Sequence, residues 1–516
     1  MLFNSFPFIF VFMPIVLVGF FTLARRSNRL AAGWLTLASL VFYGWWDPRY
    51  VVLLLASIGV NYQFGKHLAL LHASNRKARS RQLLWVAIAA NLALLAYFKY
   101  AVFFLSNLQT LVGHSGPLPD IVLPLGISFF TFTQIAFLVD AYRGLAREYS
   151  FTHYTLFVSW FPHLIAGPIL HHREMMPQFD RQATYRLNWE NIAVGLTMFI
   201  FGLFKKTVIA DDMAGFASPA FDAAAAGVHL TLLEAWGAAL AYAFQIYFDF
   251  SGYTDMALGA SRMFGIVLPL NFASPYKSRS IIEFWRRWHI TLSRFLRDYV
   301  YIPLGGNRKS TLRRYENLFL TMLIGGLWHG AGWTFVFWGA LHGAYLVVNH
   351  VWRAIRARTG SFLPGADALS TLITFLAVVV AWVFFRAADF TTAADIAAAM
   401  TGHHGIVLPE QWANGSALST WLAGHGVQFA KLAHFDRVAQ LNWLCFLLVF
   451  CWLAPNTQQV LAAYQPALLT PGYGTLGDAG WLAWRPGWRW LAVLASLGSM
   501  ALLSIHRYSE FIYFRF

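Results

Sequence analysis

Charge is what this chain has least of. Only 12% of its 516 residues are Asp, Glu, Lys or Arg, against 58% that are hydrophobic, and so small a charged share cannot coat a water-soluble protein of this length. Acidic residues are the scarcer sign: 23 Asp and Glu stand against 38 Lys and Arg, a formal net charge of +15. The cations fall in short clusters between apolar runs, which fits cytoplasmic loops and excludes a nucleic-acid interface of basic and aromatic groups on a wet surface. Cysteine is nearly missing. Cys445 and Cys451 both sit in the apolar run LNWLCFLLVFCWL, so there is no disulfide framework and no thiolate metal spacing. HExxH is absent, so no metal is expected, and without GxSxG there is no serine elbow. No internal repeat and no separable soluble domain is visible, and residues 1–516 read as one integral membrane domain.

What is present is roughly a dozen apolar runs of spanning or near-spanning length, the mark of an all-α polytopic membrane protein. The first, within MLFNSFPFIFVFMPIVLVGFFTLARRSNR, has no basic n-region and no small-residue cleavage site, and it reads as a retained membrane helix. Arg25, Arg26 and Arg29 follow it; Arg76, Lys77, Arg79 and Arg81 follow the third run; SNLQTLVGHSGPLPD carries no Lys or Arg; Arg143 and Arg147 come after the next. This alternation puts the N-terminus outside and the basic loops in the cytoplasm. The run from Phe157 to Leu170 breaks the pattern, with arginines beyond it at 173, 181 and 186, and is expected to be re-entrant or broken. The polar interruption from Thr401 to Arg437 is expected to be an extracytoplasmic loop.

The most basic region, Lys277 to Arg314, and a second cluster at Arg353, Arg356 and Arg358 flank a long apolar stretch containing GGLWHGAGW. With both flanks cytoplasmic, the chain must enter and return, and the glycines at 325, 326, 330 and 332 mark where two helices meet. His329 then lies at the bend, buried. A lone membrane histidine is usually a helix-to-helix hydrogen bonder, but these glycines permit close approach and the tryptophans exclude water, which suits a general base. With no protein nucleophile in view, the chemistry indicated is direct transfer, the base taking a proton from an acceptor hydroxyl as it attacks an activated acyl group.

In SIIEFWRRWHITLSRFLRDYVYIPLGGNR, residues Trp285, Trp288, His289, Leu292, Leu296 and Tyr299 recur at spacings of three and four, with Arg287, Arg294 and Arg297 on another face. This predicts an amphipathic helix at the cytoplasmic interface, Glu283 pairing with Arg287 one turn on. Its plain reading is a membrane-surface helix; its functional reading is that Arg286, Arg287, Arg294 and Arg297 receive a phosphate-bearing acyl carrier while His289 points inward. PLGGNRKST lacks P-loop spacing and reads as a glycine turn ending that helix. In YFDFSGYTDMALGASRMFG, Asp249 and Asp255 are costly in an apolar setting, and they support the site or pair with an arginine such as Arg262.

Taken in order, PLGISFFTF, FPHLIAGPI, YFDFSGYTDMALG, EFWRRWHITLSRFLRDYVYIPLGGNR, GGLWHGAGWTFVFWGALHG, WVFFRA and FIYFRF resemble the membrane-bound O-acyltransferases, and within them the bacterial alginate O-acetyltransferase branch. The resemblance implies a ring or funnel of membrane helices around a thinned centre. It implies that His329 is the central catalytic histidine, flanked by Trp328 and Gly330, and that His289 is the second recurrent one. It further implies a multi-pass protein of the bacterial inner membrane that passes an acetyl group from a cytoplasmic acyl-CoA or acyl carrier protein toward an extracytoplasmic polysaccharide, directly or through a periplasmic transferase, with no bound cofactor. D-alanyl transfer toward teichoic acid on the same fold, and a transporter or flippase without chemistry, are the competing readings. One departure is His163 in FPHLIAGPILHH, where this branch would carry glutamine.

Overall fold

The computed structural model describes residues 1–113, 116–146, 150–359, 366–469, 477 and 479–506. Arg147 and the closing FIYFRF lie outside the described residues, as does the side chain of Arg358. Helix dominates, as an apolar chain in lipid requires, because every backbone N–H and C=O there needs an internal partner. The strands among the described residues are two three-residue pieces, Val407–Pro409 paired in parallel with Gln428–Ala430.

Four helical spans among the described residues are long and apolar enough to cross a membrane: Pro7–Ala24, Lys77–Val112, Trp189–Ala225 and Asp367–Arg386. Apolar helices of 10–17 residues add Ile127–Tyr142, Phe390–Met400, Ala439–Leu453 and Trp488–Ser504. The protein is therefore the all-α polytopic type its composition demands, although several apolar runs form short or broken helices. The stretch around Phe157 is one: Phe151–Ser159 stops at Trp160, Phe161–Leu164 makes a single turn, and a helix resumes only at His172–Phe179.

The chain sorts into two compact units. One comprises Met1–Phe204, Ser251–Asn271 and Thr457–Ile505; the other comprises Lys205–Phe250 and Phe272–Asn456, with His506. No linker betrays this in the sequence, because two of the crossings fall inside helical spans: Trp189–Ala225 changes unit between Phe204 and Lys205, and Leu232–Met263 between Phe250 and Ser251.

Small and polar residues hold the first unit together. Gly195 and Gly202 face the backbone at Gly259 and Gly252, and a Cβ on Gly195 would fall 2.6 Å from the Gly259 carbonyl oxygen, so the helices meet backbone to backbone as small-residue membrane interfaces do. The amides of Asn61 and Asn91 exchange hydrogen bonds of 3.1 and 2.6 Å, and Gln134 donates to Ser57 at 3.0 Å, all four buried. His163 is buried as well, its Nε2 lying 2.9 Å from the Phe157 carbonyl oxygen; the residue that departs from the expected glutamine ties together its own helix break.

Candidate active site

In the second unit, Thr311–His329 and Trp333–Thr359 form a helical hairpin. Ser310 opens it by accepting from the Arg313 N–H at 3.2 Å, and the first helix ends on His329 because Gly330 turns extended. A Cβ on Gly326 would strike the Phe335 carbonyl, one on Gly339 the Met322 carbonyl, and one on Gly330 the Phe335 ring. The hairpin can close this tightly only with glycine at these positions. The chain enters and returns as its basic flanks required, and His329 sits at the tip, 7% exposed.

Aromatic rings wall the His329 imidazole. Trp328, Trp338 and Phe385 have ring centroids 4.9, 5.1 and 5.2 Å away, all three edge-on. Such walls keep water off a base and strengthen any charge interaction made beside it.

His289 reaches the same place by a backbone device that the helical periodicity conceals. The expected amphipathic helix is two short ones, Ile281–Arg287 and Ile290–Leu296, followed by a wide turn over Arg297–Tyr301. Between them Trp288 is extended and His289 is left-handed, with φ +41°. The break is fastened from outside: the Ala273 N–H donates to the Arg287 carbonyl at 3.0 Å, and the Arg287 guanidinium donates to the Ala273 carbonyl at 3.2 Å. His289 is fully buried, its ring edge-on to Phe250 at 4.7 Å and its centroid 6.5 Å from that of His329. The structure brings together the two histidines singled out in the sequence.

The same wall holds a third histidine, one the sequence reading did not single out. His342 is fully buried, and Trp285 Nε1 donates to its Nδ1 at 3.3 Å, which leaves the ring proton of the neutral form on Nε2. Its ring lies 4.7 Å from Trp338 and 6.3 Å from Trp382. The available signal was its spacing, since Trp338 and His342 stand one turn apart on the face that carries His329's neighbours.

The proposed supporting carboxylates part company. Asp249 lies in the second unit and pairs with Lys206 at 2.6 Å, not with Arg262; Lys206 also reaches Asp211 at 2.8 Å, and all three are buried. Asp255 falls in the first unit, where it accepts from Thr457 at 2.7 Å and Gln458 at 2.8 Å. Arg262 donates to the carbonyls of Tyr464 and Gln465.

The four arginines do not share one face. Arg287 pairs with Glu283 at 2.7 Å as its spacing predicted, Arg297 pairs with Asp298 at 2.7 Å, and Arg294, expected on the outer face, is buried because the helix break rotates the second segment inward. Arg286 remains exposed. It stands near a cationic group that sequence spacing does not reveal: Arg314 lies 2.7 Å from His350, and burial, followed by Arg314, Arg353 and Arg286, pushes the His350 pKa down to about 4. Residues 305 and 306 make the expected glycine turn with positive φ, and Asn317 donates to the Gly306 carbonyl at 3.0 Å.

Residues 77–389 match the sequence model of the membrane-bound O-acyltransferase family, a span containing both His289 and His329. A peptidoglycan O-acetyltransferase of Helicobacter pylori is 46% identical over 79% of this chain and 81% of its own. A probable alginate O-acetylase of Pseudomonas aeruginosa is 37% identical over the full length of both chains. A teichoic acid D-alanyltransferase of Streptococcus thermophilus is 29% identical over 44% of this chain and 57% of its own.

Proposed function

Because the chain belongs to the membrane-bound O-acyltransferase family, we propose that it moves an acetyl group from a cytoplasmic thioester toward hydroxyls of an envelope polysaccharide, with His329 as the base. The observation that carries this reading is the pair of buried imidazoles, 6.5 Å apart at centroid, in an aromatic setting. In the proposed step, a His329 ring nitrogen takes the acceptor hydroxyl proton as that oxygen attacks the thioester carbonyl carbon. The C–S bond breaks, the new ester keeps the acetyl group, and the departing thiolate takes up a proton. His289 orients or polarises the reacting carbonyl. Trp328 and Gly330 shape the space around it.

The donor, acyl-CoA or an acyl carrier protein, would present its phosphates to the basic side of the second unit. Arg286 with Arg314 and Arg353 is a better landing place than Arg287 or Arg297, whose charges are already matched. Asp249 would act at one remove, by fixing Lys206, and Asp255 by fastening Thr457 and Gln458. The protein would reside in the bacterial inner membrane and hand its acetyl group to the polysaccharide directly or through a periplasmic transferase.

The acceptor has two readings. Full-length similarity to the alginate O-acetylases favours alginate or a related exopolysaccharide, whereas the higher identity to the Helicobacter enzyme favours peptidoglycan glycan strands. D-alanyl transfer has the weaker support of a partial match.

Proteoliposomes given radiolabelled acetyl-CoA, with alginate or peptidoglycan fragments as acceptors, test the proposal. Label in an alkali-labile ester with wild type and not with His329→Ala supports it, and the acceptor that takes label decides between the two. Equal labelling by both proteins overturns His329 as base. Movement of substrate with no ester in any arm returns the transporter reading.

A further inference from the structure

Away from the histidine pair, the second unit gathers three side chains of metal-ligand type from widely separated parts of the chain. His229 precedes the Leu232–Met263 helix, Asp395 sits within Phe390–Met400, and His404 lies in the turn that follows. His229 Nδ1 is 2.9 Å and His404 Nε2 is 3.4 Å from the same Asp395 oxygen, and the three ligand atoms lie within 4.8 Å of one another. The two imidazoles meet edge to face at 4.5 Å. His404 Nδ1 is buried with no hydrogen-bond partner among the described residues, so Nε2 is the nitrogen that engages the cluster.

From these contacts the geometry points to a divalent metal site of the Zn²⁺ class, held by His229 Nδ1, His404 Nε2 and an Asp395 carboxylate oxygen. Ligands about 2.0–2.1 Å from a tetrahedral zinc stand roughly 3.3–3.5 Å from one another; the His404 to Asp395 distance of 3.4 Å already matches, the His229 to Asp395 contact of 2.9 Å would open slightly, and the two ring nitrogens lie within 4.8 Å of each other. Two imidazoles and one carboxylate suit zinc better than calcium or magnesium, which take oxygen ligands. The fourth position opens outward, since the His229 side chain is 70% exposed while those of Asp395 and His404 are 23% and 14% exposed.

The frame around the trio is already fixed. The Leu232 N–H donates to the Gly405 carbonyl at 3.2 Å, and Trp236 Nε1 donates to the Met400 carbonyl at 2.9 Å. Gly402 and Gly405 hold positive φ on either side of His404, giving the turn a shape other residues resist. A bound ion would cross-link the segment before the long helix to the end of Phe390–Met400. The expectation of no metal rested on sequence spacing, which cannot register ligands separated by 166 residues.

The full-length protein in detergent, stripped with chelator and titrated with Zn²⁺ against a chromophoric competitor, tests this directly. Wild type is expected to retain one Zn²⁺ that His229→Ala, His404→Ala and Asp395→Ala each weaken by more than about tenfold, at least what loss of an outer-shell partner costs. His425→Ala, a surface histidine elsewhere, controls for adventitious binding and is expected to match wild type. Zn²⁺ should also raise the unfolding temperature of wild type and not of the three variants, with monodisperse elution showing that each is folded. Wild-type affinity no greater than that of the variants, or loss in His425→Ala equal to theirs, overturns the site.

Discussion

Lys206 and Asp249 form an ion pair of 2.6 Å, with side chains 3% and 1% exposed, and Asp211 meets the same ammonium at 2.8 Å. Two carboxylates out of reach of water both draw charge compensation from this one cation. Lys206→Met should therefore destabilise the protein by about 3–5 kcal/mol, because it strands buried charge. Asp211→Asn, which leaves the Lys206 to Asp249 pair intact, should cost less. Thermal unfolding in detergent compares the two, and equal losses would deny that the lysine is the keystone.

His329→Gln should cost transfer by about 10²–10⁴-fold, the range expected when a general base is lost, without changing the unfolding temperature by more than a few degrees. Ester formation per folded molecule is the measurement, and retained activity would remove His329 from the chemistry.

His289 serves the site with its ring and the fold with its backbone, and two substitutions separate these contributions. His289→Gly and His289→Ala should both lose the ring, yet glycine accepts φ +41° whereas alanine should be the less stable by about 1 kcal/mol. Unfolding of both variants, with activity measured alongside, reads the backbone share. An alanine variant as stable as the glycine variant would show that the left-handed turn is not strained.

Gly326→Ala should disturb the hairpin by about 1–3 kcal/mol, the usual cost of overfilling a packed interface, because its Cβ meets the backbone of the partner helix. Gly59→Ala, where a Cβ meets nothing within 4 Å, should be neutral. A thermal shift assay on the pair decides whether the close approach matters.

His350 should confer a distinct acid sensitivity. It lies level with Arg314 in the polar first turn of the hairpin, outside the apolar part, and its pKa is held at about 4 by burial and by the nearby arginines. The unfolded side chain titrates near 6.5, so below that pH the unfolded state binds the extra proton first. The contribution is whole above pH 6.5 and is lost as pH falls toward 4. His350→Gln should flatten that part of the stability profile, and an unchanged slope would assign the acid sensitivity to other groups.

The hairpin was legible in the sequence because two independent signals agreed: basic flanks required a return, and four glycines marked where it could occur. The helix break at His289 was not, because its apolar residues keep a 3.6 spacing straight through a change of backbone direction, and this also hid the burial of Arg294. Pairing partners were the least legible. Asp249 found Lys206 and not Arg262, since a buried carboxylate takes whichever cation packing brings near, and sequence proximity says little about that. The two compact units leave little linker signal, since two of the crossings between them fall in mid-helix.

The reciprocal amides of Asn61 and Asn91 carry an implication for how the first unit is made. Each helix could slide or spin in lipid with little penalty while its surface is uniformly greasy, but a paired amide is satisfied at one azimuth and one depth only. The Arg49–Ala73 and Lys77–Leu95 helices are thus keyed like a bolt in a slot, and the later helices inherit a docking surface whose rotational phase is already set.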